Sequence, residues 1–134
     1  MYVGRFAPTP SGPLHFGSLL AAMTSYLEAR SQQGRWLLRI EDIDKPREVS
    51  GAADQIIRAL GSYGFQWDGD IEYQSTRIEA YQQALTKLSA YTYPCTCSRQ
   101  KIRTNAKPGT LGLIYPGNCR NSKQAPENKQ YAIR

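Results

Sequence analysis

The chain has 134 residues, 40% of them hydrophobic and 21% charged, and a net charge of +6. No window approaches the roughly 18 consecutive apolar residues of a membrane span, and Met1-Tyr2-Val3-Gly4-Arg5-Phe6 lacks the basic lead and apolar run of an export signal. A cytoplasmic protein with no membrane partner is expected, and three cysteines, an odd number in that setting, argue against a disulfide framework.

Tyr2 to Ala7 is short and apolar, a predicted buried strand that Pro8 ends. The turn-rich run Pro8-Thr9-Pro10-Ser11-Gly12-Pro13 follows. From Ser18 the apolar residues Leu19, Leu20, Met23, Tyr26 and Leu27 recur at helical spacing, and Gly34 is expected to cap that helix. Trp36 to Ile40 is a second predicted strand, so the first 40 residues read as a βαβ unit of a parallel sheet. A second helix is expected after Ser50, with Ile56, Ile57, Leu60 and Tyr63 on its core face. A third is expected near Thr76, where Thr76-x-x-Glu79 fits a capping box, with Ile78, Tyr81, Leu85 and Leu88 as its core face. The composition shifts after Cys97. Residues 1–95 carry nine Lys/Arg against ten Asp/Glu, whereas 96–134 carry eight against Glu127 alone. Such a segment attracts a polyanion or is simply a solvated tail.

Three clusters carry chemistry. The loop after the first strand opens on the crevice outside the strand ends, where ligands of parallel sheets bind, and free N–H groups at the next helix start favour an anion. His15 and Gly17 stand there: a glycine admits a nucleotide close to the backbone, and a histidine donates to phosphoryl oxygens. A proline-rich loop with one surface histidine is the plain alternative. After the second strand, Glu41, Asp42 and Asp44 suit a substrate ammonium or a metal-bound phosphate; equally, they form an acidic turn paired with Lys45 and Arg47. Cys95-x-Cys97 and Cys119 offer three metal ligands or three free thiols, and a tetrahedral site needs a fourth.

Together the runs RFAPTPSGPLHFGS and RIEDIDKPR resemble the opening of the class I glutamyl-type aminoacyl-tRNA synthetases, with Leu14-His15-Phe16-Gly17-Ser18 similar to their HIGH signature. Within that family the likeness is to the short branch that lacks an anticodon-binding domain and places glutamate on the queuosine base of tRNA(Asp). It is dense over residues 3–97 and thinner to Cys119. The fold implied is α/β: the N-terminal half of a Rossmann-like catalytic domain, a parallel sheet with flanking helices, plus a small zinc-binding insertion. Residues 1–94 are then the nucleotide- and glutamate-binding half-domain, and 95–134 a basic zinc-binding segment and truncated continuation.

The resemblance implies an ATP-dependent ligase that forms glutamyl-adenylate. Its substrates are glutamate, ATP with Mg2+, and tRNA(Asp) carrying queuosine, and a monomer is expected. Arg5 resembles the guanidinium that receives the glutamate side-chain carboxylate. The run Arg5, Phe6, Ala7, Pro8 and Thr9 resembles the glutamate-binding segment, and Glu41 the carboxylate that holds the α-ammonium. His15, Gly17 and Ser18 resemble the catalytic ATP signature, with Ser18 where relatives carry an imidazole. Cys95, Cys97, Tyr115 and Cys119 resemble a zinc ligand set, the tyrosine supplying the fourth ligand.

The second signature of the family, KMSKS, is missing. Lys87-Leu88-Ser89-Ala90 lacks its final lysine and precedes the zinc segment. With Gln130 to Arg134 reading as a strand cut short, an N-terminal fragment of weak or no activity is expected. The ordinary glutamyl-tRNA synthetase, a zinc-containing RNA-binding module and another nucleotidyltransferase are the competing readings.

Overall fold

A computed structural model describes residues 1–122 and 124–134. The chain forms two compact units, Met1–Ala80 and Tyr81–Arg134. Among the described residues no helix is long and apolar enough to cross a membrane.

The first unit opens with the expected βαβ motif: β1 (Val3–Phe6), α1 (Phe16–Ser31) and β2 (Arg35–Ile40). β1 and β2 pair in parallel, Val3 opposite Arg35 and Phe6 opposite Leu38. α2 (Ala52–Ser62) follows, and β3 (Glu72–Tyr73) joins β2 in parallel, giving the order β1-β2-β3. Alternation in the strands decides the faces. Gly4, Phe6, Trp36, Leu38 and Ile40 are buried, whereas Val3, Arg5 and Arg35 are exposed. On the buried face Phe6, Trp36 and Leu38 form one core with Ala22 and Ala29 of α1, Ile56 and Leu60 of α2, and Phe65. Trp36 stacks on Phe65 at 5.5 Å and receives the edge of Tyr26 at 5.2 Å. Gly4 and Ala29 let α1 settle onto β1: a Cβ at position 4 would lie 3.0 Å from the Ser25 carbonyl oxygen. Asp68 anchors the start of β2, accepting from the Trp36 backbone N–H at 2.7 Å and from Arg30 at 2.8 Å.

Four details differ from the sequence expectation. Gly34 is not the cap of α1. The left-handed residue is Gln33 (φ 51°), and Gly34 is held by contact, since a Cβ there would lie 2.5 Å from the Tyr2 carbonyl oxygen. Gly34→Ala is therefore expected to cost about 1–3 kcal/mol through forced displacement of β1. The measurement is the denaturation midpoint followed by tryptophan fluorescence, and an unchanged midpoint would refute so close an approach. Tyr63 caps α2 and is exposed rather than on its core face. Thr76 bonds back to the Tyr73 carbonyl within a 3₁₀ turn, Gln74–Arg77, and α3 (Ile78–Lys87) begins after it. Ile78, Tyr81, Leu85 and Leu88 are all exposed. Helical spacing reports an apolar stripe and not whether anything covers it; the core closes on α1 and α2 instead.

The second unit holds small elements only. β4 (Pro94–Cys95) pairs antiparallel with β7 (Ala132–Ile133), so a strand does stand at Gln130 to Arg134. Between them lie α4 (Arg99–Asn105), capped by Ser98, and a hairpin of β5 (Lys107–Gly109) and β6 (Gly112–Ile114).

Candidate functional site

The loop after β1 is fixed to the end of β2 by backbone bonds. The Glu41 N–H donates to the Pro8 carbonyl and the Val49 N–H to the Pro10 carbonyl, each at 2.9 Å. Parallel pairing of β1 and β2 thus brings Arg5 to Thr9 and Glu41 to the same end of the sheet.

His15 is the N-cap of α1. Its Nδ1 accepts from the Ser18 N–H at 3.1 Å, which assigns the ring proton to Nε2, 3.0 Å from Ser18 Oγ. Ser18 therefore orients the histidine ring. Gly17 leaves room for that ring, because a Cβ there would come within 3.1 Å of His15 Cε1. His15, Gly17 and Ser18 line a hollow of about 460 Å³ with Phe6, Ala7, Pro8, Thr9 and Arg47. Thr9 and Arg47 also line the adjoining hollow that contains Glu41, Asp44 and Gln74.

Arg5 opens elsewhere, into a cleft of about 420 Å³ on the sheet face opposite the core, with Leu37, Arg39, Glu72, Tyr73 and Arg77. Two of its three guanidiniums already hold carboxylates: Arg39 pairs with Glu41 at 2.6 Å and Arg77 with Glu72 at 3.2 Å. Arg5 has no ion pair among the described residues. Arg39 thereby links the cleft to Glu41, and its Nε is buried without a hydrogen-bond partner. Its place in RIEDIDKPR was visible in the sequence, its pairing was not.

The other two carboxylates of the acidic run are structural. Asp44 pairs with Arg47 at 2.5 Å. Asp42 is buried and accepts from the Ser75 N–H at 2.8 Å and the Ser75 hydroxyl at 2.5 Å. Burial pushes its carboxyl up, but the bonds from Ser75 outweigh that and leave it below its ordinary range.

In the second unit, β4 ends at Cys95, and the hairpin returns the chain so that Tyr115 and Cys119 meet it. The three sulfurs lie within 4.8 Å of one another and could hold a metal ion. Cys97 Sγ stands 3.6 Å from Cys119 Sγ. The Tyr115 hydroxyl is 3.3 Å from Cys95 Sγ and 3.8 Å from Cys97 Sγ. That hydroxyl, donating to Cys95, brings the Cys95 thiol down to about 6, and the same bond raises the tyrosine above its ordinary value. Burial raises Cys97, while a bond from the Thr96 backbone lowers Cys119. All four residues expected as ligands are thus together. Arg134, which the sequence did not single out, joins them, its guanidinium 4.7 Å above the Tyr115 ring.

Residues 2–131 match the family model of the class I tRNA synthetase catalytic domain, E and Q type. The chain is 57% identical over 129 residues to glutamyl-Q tRNA(Asp) synthetase of Cronobacter sakazakii, covering 95% of this chain and 41% of that protein. It is 54% identical over 135 residues to that of Escherichia coli K12 (99% and 42%), and 51% identical over 138 residues to that of Neisseria meningitidis (100% and 47%). It therefore spans less than half the length of these relatives. Among solved structures, the glutamate-tRNA synthetase of Elizabethkingia anophelis matches at a TM-score of 0.65 and 31% identity, covering 76% of this chain and 23% of that one. A glutamate tRNA ligase from Elizabethkingia meningosepticum, solved in complex with its amino acid, matches at the same score and identity, covering 76% and 22%.

Proposed function

The chain belongs to the class I tRNA synthetases of the E and Q type, and from that premise we propose that it supplies the glutamate- and ATP-binding half-site of a ligase. That ligase forms glutamyl-adenylate and passes the glutamate to the queuosine base of tRNA(Asp). One observation carries the reading: among the described residues Arg5 makes no ion pair, in a cleft lined also by Asp70 whose other guanidiniums are paired, at the same sheet end as Glu41. Arg5 receives the side-chain carboxylate of glutamate, and its planar fork suits that geometry. Glu41 exchanges Arg39, its partner at 2.6 Å in the free chain, for the α-ammonium, and Phe6 to Thr9 line the hollow beside it. An oxygen of the α-carboxylate then attacks the α-phosphorus of ATP, a P–O bond forms, and the bond to pyrophosphate breaks. The free N–H groups at the start of α1 face the phosphates, which enter with Mg2+, and His15 exchanges its Nε2–H contact with Ser18 Oγ for a phosphoryl oxygen. The names of the relatives support queuosine of tRNA(Asp) as the acceptor.

Residues 1–94 are the half-domain for this chemistry and 95–134 the basic metal-binding segment. A tetrahedral zinc ion with bonds of about 2.3 Å to sulfur and about 2.0 Å to oxygen separates its sulfurs by about 3.8 Å, and sulfur from oxygen by about 3.5 Å. The Cys97–Cys119, Tyr115–Cys95 and Tyr115–Cys97 distances support that ion, and the remaining sulfur pairs, within 4.8 Å, draw together by up to about 1 Å to bind it. When bound, it supplies structure, not a step of the reaction.

The test is glutamate-dependent exchange of pyrophosphate into ATP by the full gene product. Exchange without tRNA is expected. Exchange only with tRNA would point to an ordinary glutamyl-tRNA synthetase, and none under either condition would refute the ligase. The basic segment gives a separate expectation. Among its described cations, Arg99, Lys101, Arg103, Lys107, Arg120 and Lys129 are all exposed and none is in an ion pair. If about four of them meet phosphates, tRNA affinity falls roughly 10²-fold between 50 and 200 mM salt. Filter binding over that range measures it, and affinity indifferent to salt would exclude the segment as an RNA surface.

A further inference from the structure

Arg134 reaches the cysteine cluster because of strand register. β7 pairs with β4, and the bond continues one residue beyond it: the Arg134 N–H donates to the Tyr93 carbonyl at 3.1 Å and the Tyr93 N–H to the Arg134 carbonyl at 2.9 Å. Cys95 lies two residues along from Tyr93. The Arg134 side chain is thereby laid over the Tyr115 ring, 4.7 Å from its centroid. Tyr93 stacks on the same ring at 6.5 Å, so the phenol meets a second aromatic ring as well as the guanidinium.

The ligand set makes that placement consequential. Three thiolates and a phenolate around a divalent ion leave roughly two negative charges uncompensated, more than the neutral set of two cysteines and two histidines. Uncompensated charge in a partly buried site is costly, and partners outside the ligands that bond to them hold the ligands in place. We propose that Arg134 is a positioning residue of the metal centre, balancing the charge of its all-anionic ligand set through Tyr115. This rests on the zinc reading above. Among the described residues no other arginine or lysine side chain stacks on Tyr115, and Arg120, next in the chain to Cys119, makes no side-chain hydrogen bond to the ligands.

The test compares the full chain with Arg134→Gln, Arg134→Lys and Arg120→Gln, with zinc affinity measured by competition against a chromophoric chelator. Cobalt(II) replaces zinc in a second measurement, whose visible bands report tetrahedral thiolate ligation whatever the protein's activity. Arg134→Gln is expected to weaken zinc binding about 10–100-fold and to shift the cobalt bands. The lysine variant keeps the charge but not the planar fork, and should recover at least half of the loss on a logarithmic scale. Arg120→Gln should bind as the unmodified chain does. The backbone bonds of position 134 to Tyr93 survive all these changes, which separates charge from strand pairing. Affinity of Arg134→Gln within twofold of the unmodified chain, or a lysine variant no better than the glutamine one, overturns the assignment. An unmodified chain that takes up no zinc at all overturns the zinc reading itself, and the assignment with it.

Discussion

Chelating zinc from the loaded chain is expected to unfold residues 81–134 while residues 1–80 keep their fold. The two units differ in what holds them. The first buries Trp36, Leu38, Ile40, Ile56 and Leu60 almost completely, around stacked aromatic rings. In the second, Cys95 is the only buried residue among those described. Its strands are two or three residues long, and two-stranded pieces of that size do not stand alone in water. Fifty-odd residues without a core need a staple. A structural zinc supplies an apparent binding free energy of about 10–16 kcal/mol, enough to set folded against unfolded. The chain offers a convenient pair of reporters: both tryptophans, Trp36 and Trp67, lie in the first unit, whereas Arg99, Lys101 and Arg103 are tryptic sites in the second. Chelation should therefore leave tryptophan emission unchanged and expose these sites to trypsin. Continued protection of the second unit after complete metal removal would show that the cysteine cluster is not its staple.

The same contrast explains what could be read in the sequence. β1, β2, α1 and α2 were legible because each carries its own hydrophobic period and meets a core near in sequence. β3 was not: Glu72 and Tyr73 show no alternation, and only pairing with Arg39 and Ile40 makes them a strand. Gly34 looked like a cap because glycine often ends helices, but the reason for it lies across the sheet at Tyr2. In the site, the two roles of Glu41 and Asp42, adjacent in sequence, are separated by their partners: Arg39 lies beside the first, Ser75 33 residues from the second. Local spacing brought Cys95 and Cys97 forward. Tyr115 came only through family resemblance, and Arg134 through neither, because its place depends on the β4–β7 pairing.

Replacing Arg5 with alanine is expected to lower glutamate-dependent pyrophosphate exchange by about 10²- to 10⁴-fold. Breaking one partner of a well-formed ion pair costs about 3–5 kcal/mol when the pair is desolvated, and about 1.4 kcal/mol is a factor of ten in rate. Arg5 is exposed in the free chain, so the effect arises only as substrate excludes water from the cleft. Neighbouring guanidiniums do not replace it at rest, since Arg39 is engaged by Glu41 and Arg77 by Glu72. Arg5→Lys keeps charge without the fork and should fall between. Arg77→Ala removes a cation that already has a carboxylate, so its loss should be at least tenfold smaller. The decisive comparison is glutamate against glutamine. If Arg5 reads the side-chain carboxylate, the alanine variant loses activity toward glutamate and none toward glutamine, and any preference between them collapses. A variant that activates glutamate as well as the parent, with preference intact, would remove Arg5 from the site and leave its unpaired charge as a feature of the exposed sheet face.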